Sequence, residues 1–328
     1  MTTFIQRTEQ LQLDERLRRF DDVRQLLPNV DNPTPLVRIS RIAPPPTEAF
    51  LKLEWFNPFG SIKDRAASYL LAGLAERGEL SGRTLVEASS GNTAIALAAM
   101  AALEGIPIII TIPDGVPDEK KVLLRMLGAE VWPTPDDLCP VDNPGDGAIA
   151  LARSIVTSDG EDAYVWPDQY SNPDNVRAHY ETTGPEIWRQ TEGRIRTFVA
   201  GMGTCGTLTG VGGFLKEQDA SIQVVAVEPQ RGHRLPGLKS FAEAKAPDIL
   251  DWSVIDEVIV VEDEPAYEMT KRLFREEALM VGPSTGAIVA AINQLTCPSL
   301  TVGISPDSGS NYASFFGGIL EEEGQPQI

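Results

Sequence analysis

Short β-branched runs alternate with helical patterns along most of this sequence, and that alternation limits the fold more than any other feature. Residues 50–54, 85–87, 108–112, 197–200, 223–227, 258–261 and 301–304 have the apolar, β-branched character of strands. Residues 63–76, 92–103, 120–127, 148–158, 207–218, 265–277 and 285–295 have helical periodicity. The alternation predicts an α/β protein of mostly parallel, twisted sheets flanked by helices. Such sheets bind ligands at the carboxyl ends of their strands, so the strand-to-helix turns carry the functional weight. A chain of 328 residues exceeds one small domain and fits two domains sharing a cleft.

Composition excludes several partner classes. The chain has 28 Lys and Arg against 47 Asp and Glu, a net charge of −19, which repels nucleic-acid phosphates and anionic membranes. Residues 94–113 form an apolar stretch long enough to span a bilayer. Glu104, Gly105 and Pro107 interrupt it, so a buried helix, a turn and a buried strand are expected instead. Cys139, Cys205 and Cys297 lie far apart, with neither a disulfide framework nor metal-ligand spacing, which suits a reducing cytoplasm. His179 and His233 are the only histidines, so no multi-histidine metal site is expected. Residues 133–147, rich in Pro, Asp and Gly, are expected to form a surface loop. The first thirty residues read equally as an arm packed on another subunit or as a frayed terminus.

Three turns could carry chemistry. In the first, residues 57–65, Ser61 can cap the following helix and Lys63 falls in its first turn. The helix dipole disfavours a positive charge there, which would lower the amine pKa and favour Schiff-base chemistry. Taken alone, the local sequence leans toward a solvated surface lysine beside Asp64 and Arg65. The second turn, residues 87–93, places Ser89, Ser90, Gly91 and Thr93 where free N–H groups and hydroxyls suit a carboxylate or phosphate. It reads as readily as a plain helix cap. The third, residues 201–207, is a glycine-rich anion cradle opening onto a helix. It also fits G-x-G-x-x-G, with Glu228 where a dinucleotide-binding protein keeps its ribose acid, so an NAD-binding oxidoreductase is a rival reading. Cys205 inside this cradle is expected to fill space rather than react. Ser284, before the helix at 285–295, reads first as an N-cap.

The segments NPFGSIKDR (57–65), SSGNT (89–93), GTCGT (203–207) and GPSTG (282–286) occur in the order seen in fold type II pyridoxal phosphate (PLP) enzymes. The chain resembles that tryptophan synthase β-subunit and cysteine synthase superfamily from about Pro33 to Tyr312. Residues 168–173, 178–188 and 235–238 are most similar to O-acetylserine sulfhydrylases, the last to their B-type branch. The resemblance implies a cofactor cleft between a larger domain, residues 1–57 plus 166–328, and a smaller one, residues 58–165.

By resemblance, Lys63 is the Schiff-base lysine and Asn92 bonds the ring hydroxyl. Gly203, Thr204, Cys205, Gly206 and Thr207 hold the cofactor phosphate, and Ser284 faces the pyridine nitrogen. Ser89, Ser90, Gly91 and Thr93, with Gln169, hold the substrate carboxylate. The implied reaction replaces the β-substituent of an O-activated serine with sulfide or a thiol through an aminoacrylate, giving cysteine. A homodimer is implied as well. A neutral hydroxyl at the ring nitrogen makes a weaker electron sink and favours β-elimination; Asp307 is a second candidate for a place near the ring. Cystathionine β-synthase and serine or threonine dehydratase are the alternatives on the same scaffold. Ser89, Ala94, Cys205 and Pro283 depart from the usual threonine, glycine, glycine or threonine, and aliphatic residue.

Overall fold

The computed structural model describes residues 20–43, 45–135, 147–158, 162–296 and 299–322. Cys139, Cys297, residues 1–19 and most of the expected loop at 133–147 lie outside them. The first half of the chain forms β1 (Leu36–Arg38), β2 (Glu48–Leu53), α1 (Lys63–Glu76), β3 (Thr84–Ala88) and α2 (Asn92–Glu104). It continues through β4 (Ile108–Pro113), α3 (Asp118–Met126), β5 (Glu130–Thr134), α4 (Ala148–Ser158) and β6 (Tyr164–Val165). The second half forms α5 (Asp174–Ala178), α6 (Gly184–Gln190), β7 (Thr197–Gly201), α7 (Gly206–Gln218), β8 (Gln223–Pro229) and β9 (Glu257–Val261). It closes with α8 (Asp263–Glu276), α9 (Pro283–Ile292), β10 (Leu300–Ser305) and α10 (Ala313–Glu322). A π-helical turn, His179–Thr183, joins α5 to α6.

Two sheets result. The larger has the order β1-β2-β10-β7-β8-β9 and the smaller β5-β4-β3-β6. Among the strands of the described residues only β1 pairs antiparallel; the other strand pairings are parallel. The middle strands β10 and β4 are buried at every position, as strands covered on both faces must be. α9, PSTGAIVAAI, is buried all round, which its uniformly small and apolar sequence permits. Its Pro283 occupies the first turn, where a missing N–H costs nothing.

Every strand and helix expected from the sequence is present to within a few residues. The apolar stretch 94–113 divides into α2 and β4, broken at Gly105 in the left-handed region (φ 67°). Among the described residues no helix is long and apolar enough to cross a membrane. One boundary is corrected. Pro133 and Thr134 belong to β5 rather than to a loop, and Pro133 pairs with Ile112. β5 is an edge strand, where proline loses no ladder bond to a second neighbour.

A buried ionic cluster fixes α1 against the larger sheet. Lys52 Nζ donates to Glu186 Oε2 (2.6 Å), Gln190 Oε1 (2.8 Å) and the Thr34 carbonyl (2.9 Å). Arg65 binds Glu54 and Glu186 with two nitrogens each, between 2.6 and 3.0 Å. All four charged side chains are at most 1% exposed. Burial alone would raise the Glu54 carboxyl, but the Arg65 guanidinium outweighs it and holds it down at about 2.

Candidate active site

The sites expected from the sequence converge at the carboxyl ends of β3, β7 and β10. Lys63 opens α1, and Ser61 Oγ accepts its backbone N–H at 3.2 Å, although Ile62 holds the N-cap position. The Asp64 carboxylate closes the same turn by accepting the Phe59 N–H at 2.6 Å. Lys63 Nζ donates to Thr204 Oγ1 at 3.2 Å, across 141 residues of sequence. Burial lowers its amine pKa to about 8, against the opposing pull of Cys205, Asp307 and Glu87. The expected lowering is there, but desolvation is its main cause rather than the helix dipole.

The turn after β7 is a backbone cradle. A Cβ on Gly203 would lie 2.6 Å from the Gly237 carbonyl oxygen, and one on Gly206 would lie 2.2 Å from Asn175 Oδ1. Gly203 therefore requires glycine, and a side chain at Gly206 would have to displace Asn175. Cys205 adopts φ 63°, a left-handed conformation that favours glycine, just before α7 begins. The first N–H groups of α7 have no intrahelical acceptor, and an anion is stabilised there. Thr204 Oγ1 also takes a hydrogen bond from Asn175 Nδ2 (3.2 Å), while Thr207 Oγ1 lies 3.3 Å from His179 Nε2. Burial, helped by Arg65, drives the His179 pKa down to about 3, so the ring is neutral. Burial pushes the Cys205 thiol up to about 12, which suits a space-filling residue and not a nucleophile.

The turn after β3 is built differently. Ser89 Oγ accepts the N–H groups of Gly91 (3.3 Å) and Ala94 (3.2 Å), so its hydroxyl does cap α2. Its own proton remains available to a ligand. Thr93 Oγ1 donates to Gln169 Oε1 at 2.6 Å, joining the two halves of the expected carboxylate site. Gln169 Nε2 in turn donates to Glu87 Oε1 at 3.4 Å. Burial, with the Asp168 charge, raises the Glu87 carboxyl well above the ordinary range. Asn92, first residue of α2, donates to Asp307 Oδ2 at 2.5 Å, and Tyr312 OH donates to the same oxygen at 2.5 Å.

Ser284 is buried in the first turn of α9, but Gly282 holds the N-cap position, so capping is not its role. Glu228 does not reach the cradle as a free acid. It lies on β8, and its Oε1 accepts the Phe241 N–H (2.7 Å) and the Ser240 hydroxyl (3.3 Å) of the loop that follows this strand. His179, Asn175, Glu87 and Tyr312 escaped the sequence reading as supports of the site. Each acts through another residue, and only the fold brings those partners together.

Residues 28–303 match the family described as pyridoxal-phosphate dependent enzyme. The chain belongs to the pyridoxal-phosphate dependent enzymes. It is 40% identical to cysteine synthase B of Salmonella typhimurium over 295 residues, covering 88% of this chain and 94% of that protein. Among solved structures, cysteine synthase (OASS) from Entamoeba histolytica superposes with a TM-score of 0.82 at 28% identity, covering 93% of each chain. O-ureido-L-serine synthase superposes with a TM-score of 0.83 at 32% identity, covering 94% of this chain and 98% of that one.

The residues around Lys63 and the turn after β7 fit pyridoxal phosphate. A phosphate needs a helix start stripped of side chains, and Gly203 and Gly206 supply one with no room for a Cβ. A Schiff base needs an amine that sheds its proton easily, and Lys63 has one. The amine stands beside that helix start, at Thr204.

Proposed function

We propose that this chain replaces the leaving group of an O-activated serine, such as O-acetylserine, with sulfide or a related thiol, giving cysteine. The observation that carries the site assignment is the 3.2 Å approach of Lys63 Nζ to Thr204. It puts the amine at the anion cradle. Bound PLP supplies the electron sink for negative charge at the substrate α-carbon. Lys63 would hold it covalently, with Asn92 at its ring hydroxyl and Ser284 at its ring nitrogen. Gly203, Thr204, Cys205, Gly206 and Thr207 would hold its phosphate.

Ser89, Ser90, Gly91, Thr93 and Gln169 hold the substrate carboxylate. Glu87 takes one N–H of Gln169 and leaves the other for the substrate. Thr93 fixes which end of that amide is the acceptor. The substrate amine would first take the place of Lys63 on the cofactor, and the freed Nζ would then remove the α-proton as general base and return a proton at the end of the reaction. With its pKa at about 8, about a tenth of the amine is neutral at pH 7, against well under a thousandth at the ordinary value.

We take residues 1–57 with 166–328 and residues 58–165 as two domains with the cofactor in the cleft between them, a division supported by the way each range carries the strands of one sheet. We place the chain in the cytoplasm as a homodimer, a reading that rests on its cysteine usage and on the family resemblance of its sequence. Product analysis tests the reaction. O-acetylserine, O-phosphoserine and serine are each supplied with sulfide, thiosulfate and homocysteine. Cysteine from O-acetylserine and sulfide is the expected main product. Cystathionine as the main product overturns the reading.

A further inference from the structure

Asp307 stands at a junction of three segments. It follows β10, and its backbone forms a bridge with Ser61, two residues before Lys63. The neighbouring Pro306 carbonyl accepts the Ile62 N–H at 2.8 Å. On the other side, the Asp307 carbonyl accepts the Gly282 N–H at 3.2 Å, at the head of the helix that carries Ser284. Its side chain then reaches Asn92 on α2, an element of the smaller sheet's half. Space around it is closed: a Cβ on Gly282 would lie 2.1 Å from Asp307 Oδ1. The residue is 2% exposed, and Oδ1 has no hydrogen-bond partner among the described residues.

We propose that Asp307 is a positioning residue that sets the orientation of the Asn92 side chain toward the cofactor ring. The proposal rests on the placing of Asn92 at the ring hydroxyl. A carboxamide has one acceptor end and one donor end, and its terminal torsion is nearly two-fold, so it needs a neighbour to choose between them. Asp307 Oδ2 chooses, because it accepts from Asn92 Nδ2 and from Tyr312 OH at once. One Asn92 N–H is thereby used and the second keeps a fixed direction. A donor aimed at the ring hydroxyl oxygen favours its ionised form.

The choice survives a change in the charge of Asp307. Burial pushes this carboxyl above its ordinary range, while Tyr312 and Asn92 oppose the rise. A proton taken up would sit on Oδ1, the oxygen without a partner, and Oδ2 would still accept both bonds. The acceptor, rather than the charge, is what Asn92 needs. Asp307→Asn should therefore substitute well, with its carbonyl in place of Oδ2, and Asp307→Ala should not.

The test is a double-mutant cycle on the holoenzyme, comparing wild type, D307N, D307A, N92A and D307A/N92A. The readouts are the dissociation constant for PLP, the shape of the visible absorption spectrum and the melting temperature. D307A is expected to weaken PLP binding about tenfold, the size of one lost hydrogen bond, and to alter the spectrum. D307N should stay within about threefold of wild type, and D307A should add less than about twofold in the N92A background. Should D307A not fold, Asp307→Ser, too short to reach Asn92, takes its place in the cycle. Additive losses, or D307N as damaging as D307A, or an unchanged D307A, overturn the proposal alone. An N92A protein with wild-type affinity and spectrum overturns the placing of Asn92, and the proposal with it.

Discussion

Two lysines 11 positions apart, Lys52 fully buried and Lys63 half-buried, have opposite surroundings. Lys52, on β2, is 0% exposed and gives all three protons to protein acceptors, one of them the Glu186 carboxylate. Lys63, at the start of α1, has the Thr204 hydroxyl beside it. Burial lowers the pKa of both amines, but two carboxylates, Glu186 and Glu54, resist the change at Lys52. At Lys63 the countering groups, Cys205, Asp307 and Glu87, act through charge alone, and the hydrogen-bond partner is the neutral Thr204 hydroxyl. Desolvation therefore leaves Lys52 a structural bolt, and it leaves Lys63 with the lowered amine pKa that the proposed reaction uses. The difference lies in how many acceptors the fold supplies, since each unpaired proton makes the charged form costlier to bury.

The largest effects should separate the pair outright. Lys63→Met should lower turnover by about three orders of magnitude or more and abolish the visible absorbance, with a melting temperature near that of wild type. Lys52→Met should do the reverse. It leaves an uncompensated carboxylate in a dry site and should cost about 3–5 kcal/mol of stability, measured by denaturant unfolding, while the folded enzyme keeps its absorbance. A stable Lys52→Met protein without colour would break the comparison.

The next effect sharpens the Lys63 side. Only the neutral amine reacts with the cofactor aldehyde, and lowering the pKa brings the neutral form to lower pH. PLP uptake by the apoenzyme should rise about tenfold per pH unit below the amine pKa and level off near the value of about 8. Stopped-flow absorbance checks this, and a break at the ordinary lysine value of 10.5 would contradict it. The smallest effect concerns the cradle. Gly206→Ala would press a methyl onto Asn175, which holds both the Gln169 carbonyl and Thr204. PLP affinity should fall about threefold to tenfold, on the scale of one disturbed hydrogen bond.

The long elements were legible because each has an unbroken apolar period. β1, β6 and α5 were not, being three, two and five residues long. α6 and α10 were missed too: one continues from a π-helical turn, and the other follows a short 3-10 turn at Gly309–Tyr312. Within the site, Ser89 was balanced between a cap and a ligand group, and its oxygen caps while its proton stays free. The G-x-G-x-x-G pattern alone could not separate a cofactor phosphate from a dinucleotide. The family match separates them, and in the fold Glu228 Oε1 is taken by Ser240 and Phe241 of the loop after β8.

By itself the sequence determined the alternating α/β plan and the segments that end at strand tips. Periodicity and turn chemistry are local, so a linear reading recovers them. Only the tertiary structure decided which polar groups meet. It set Lys63 against Thr204, Asn92 against Asp307 and Thr93 against Gln169, pairs separated by 141, 215 and 76 residues. It also decided that Lys63 is half-buried with so few acceptors. Desolvation and hydrogen-bond partners depend on where distant strands bring their ends together, and no local pattern encodes that distance.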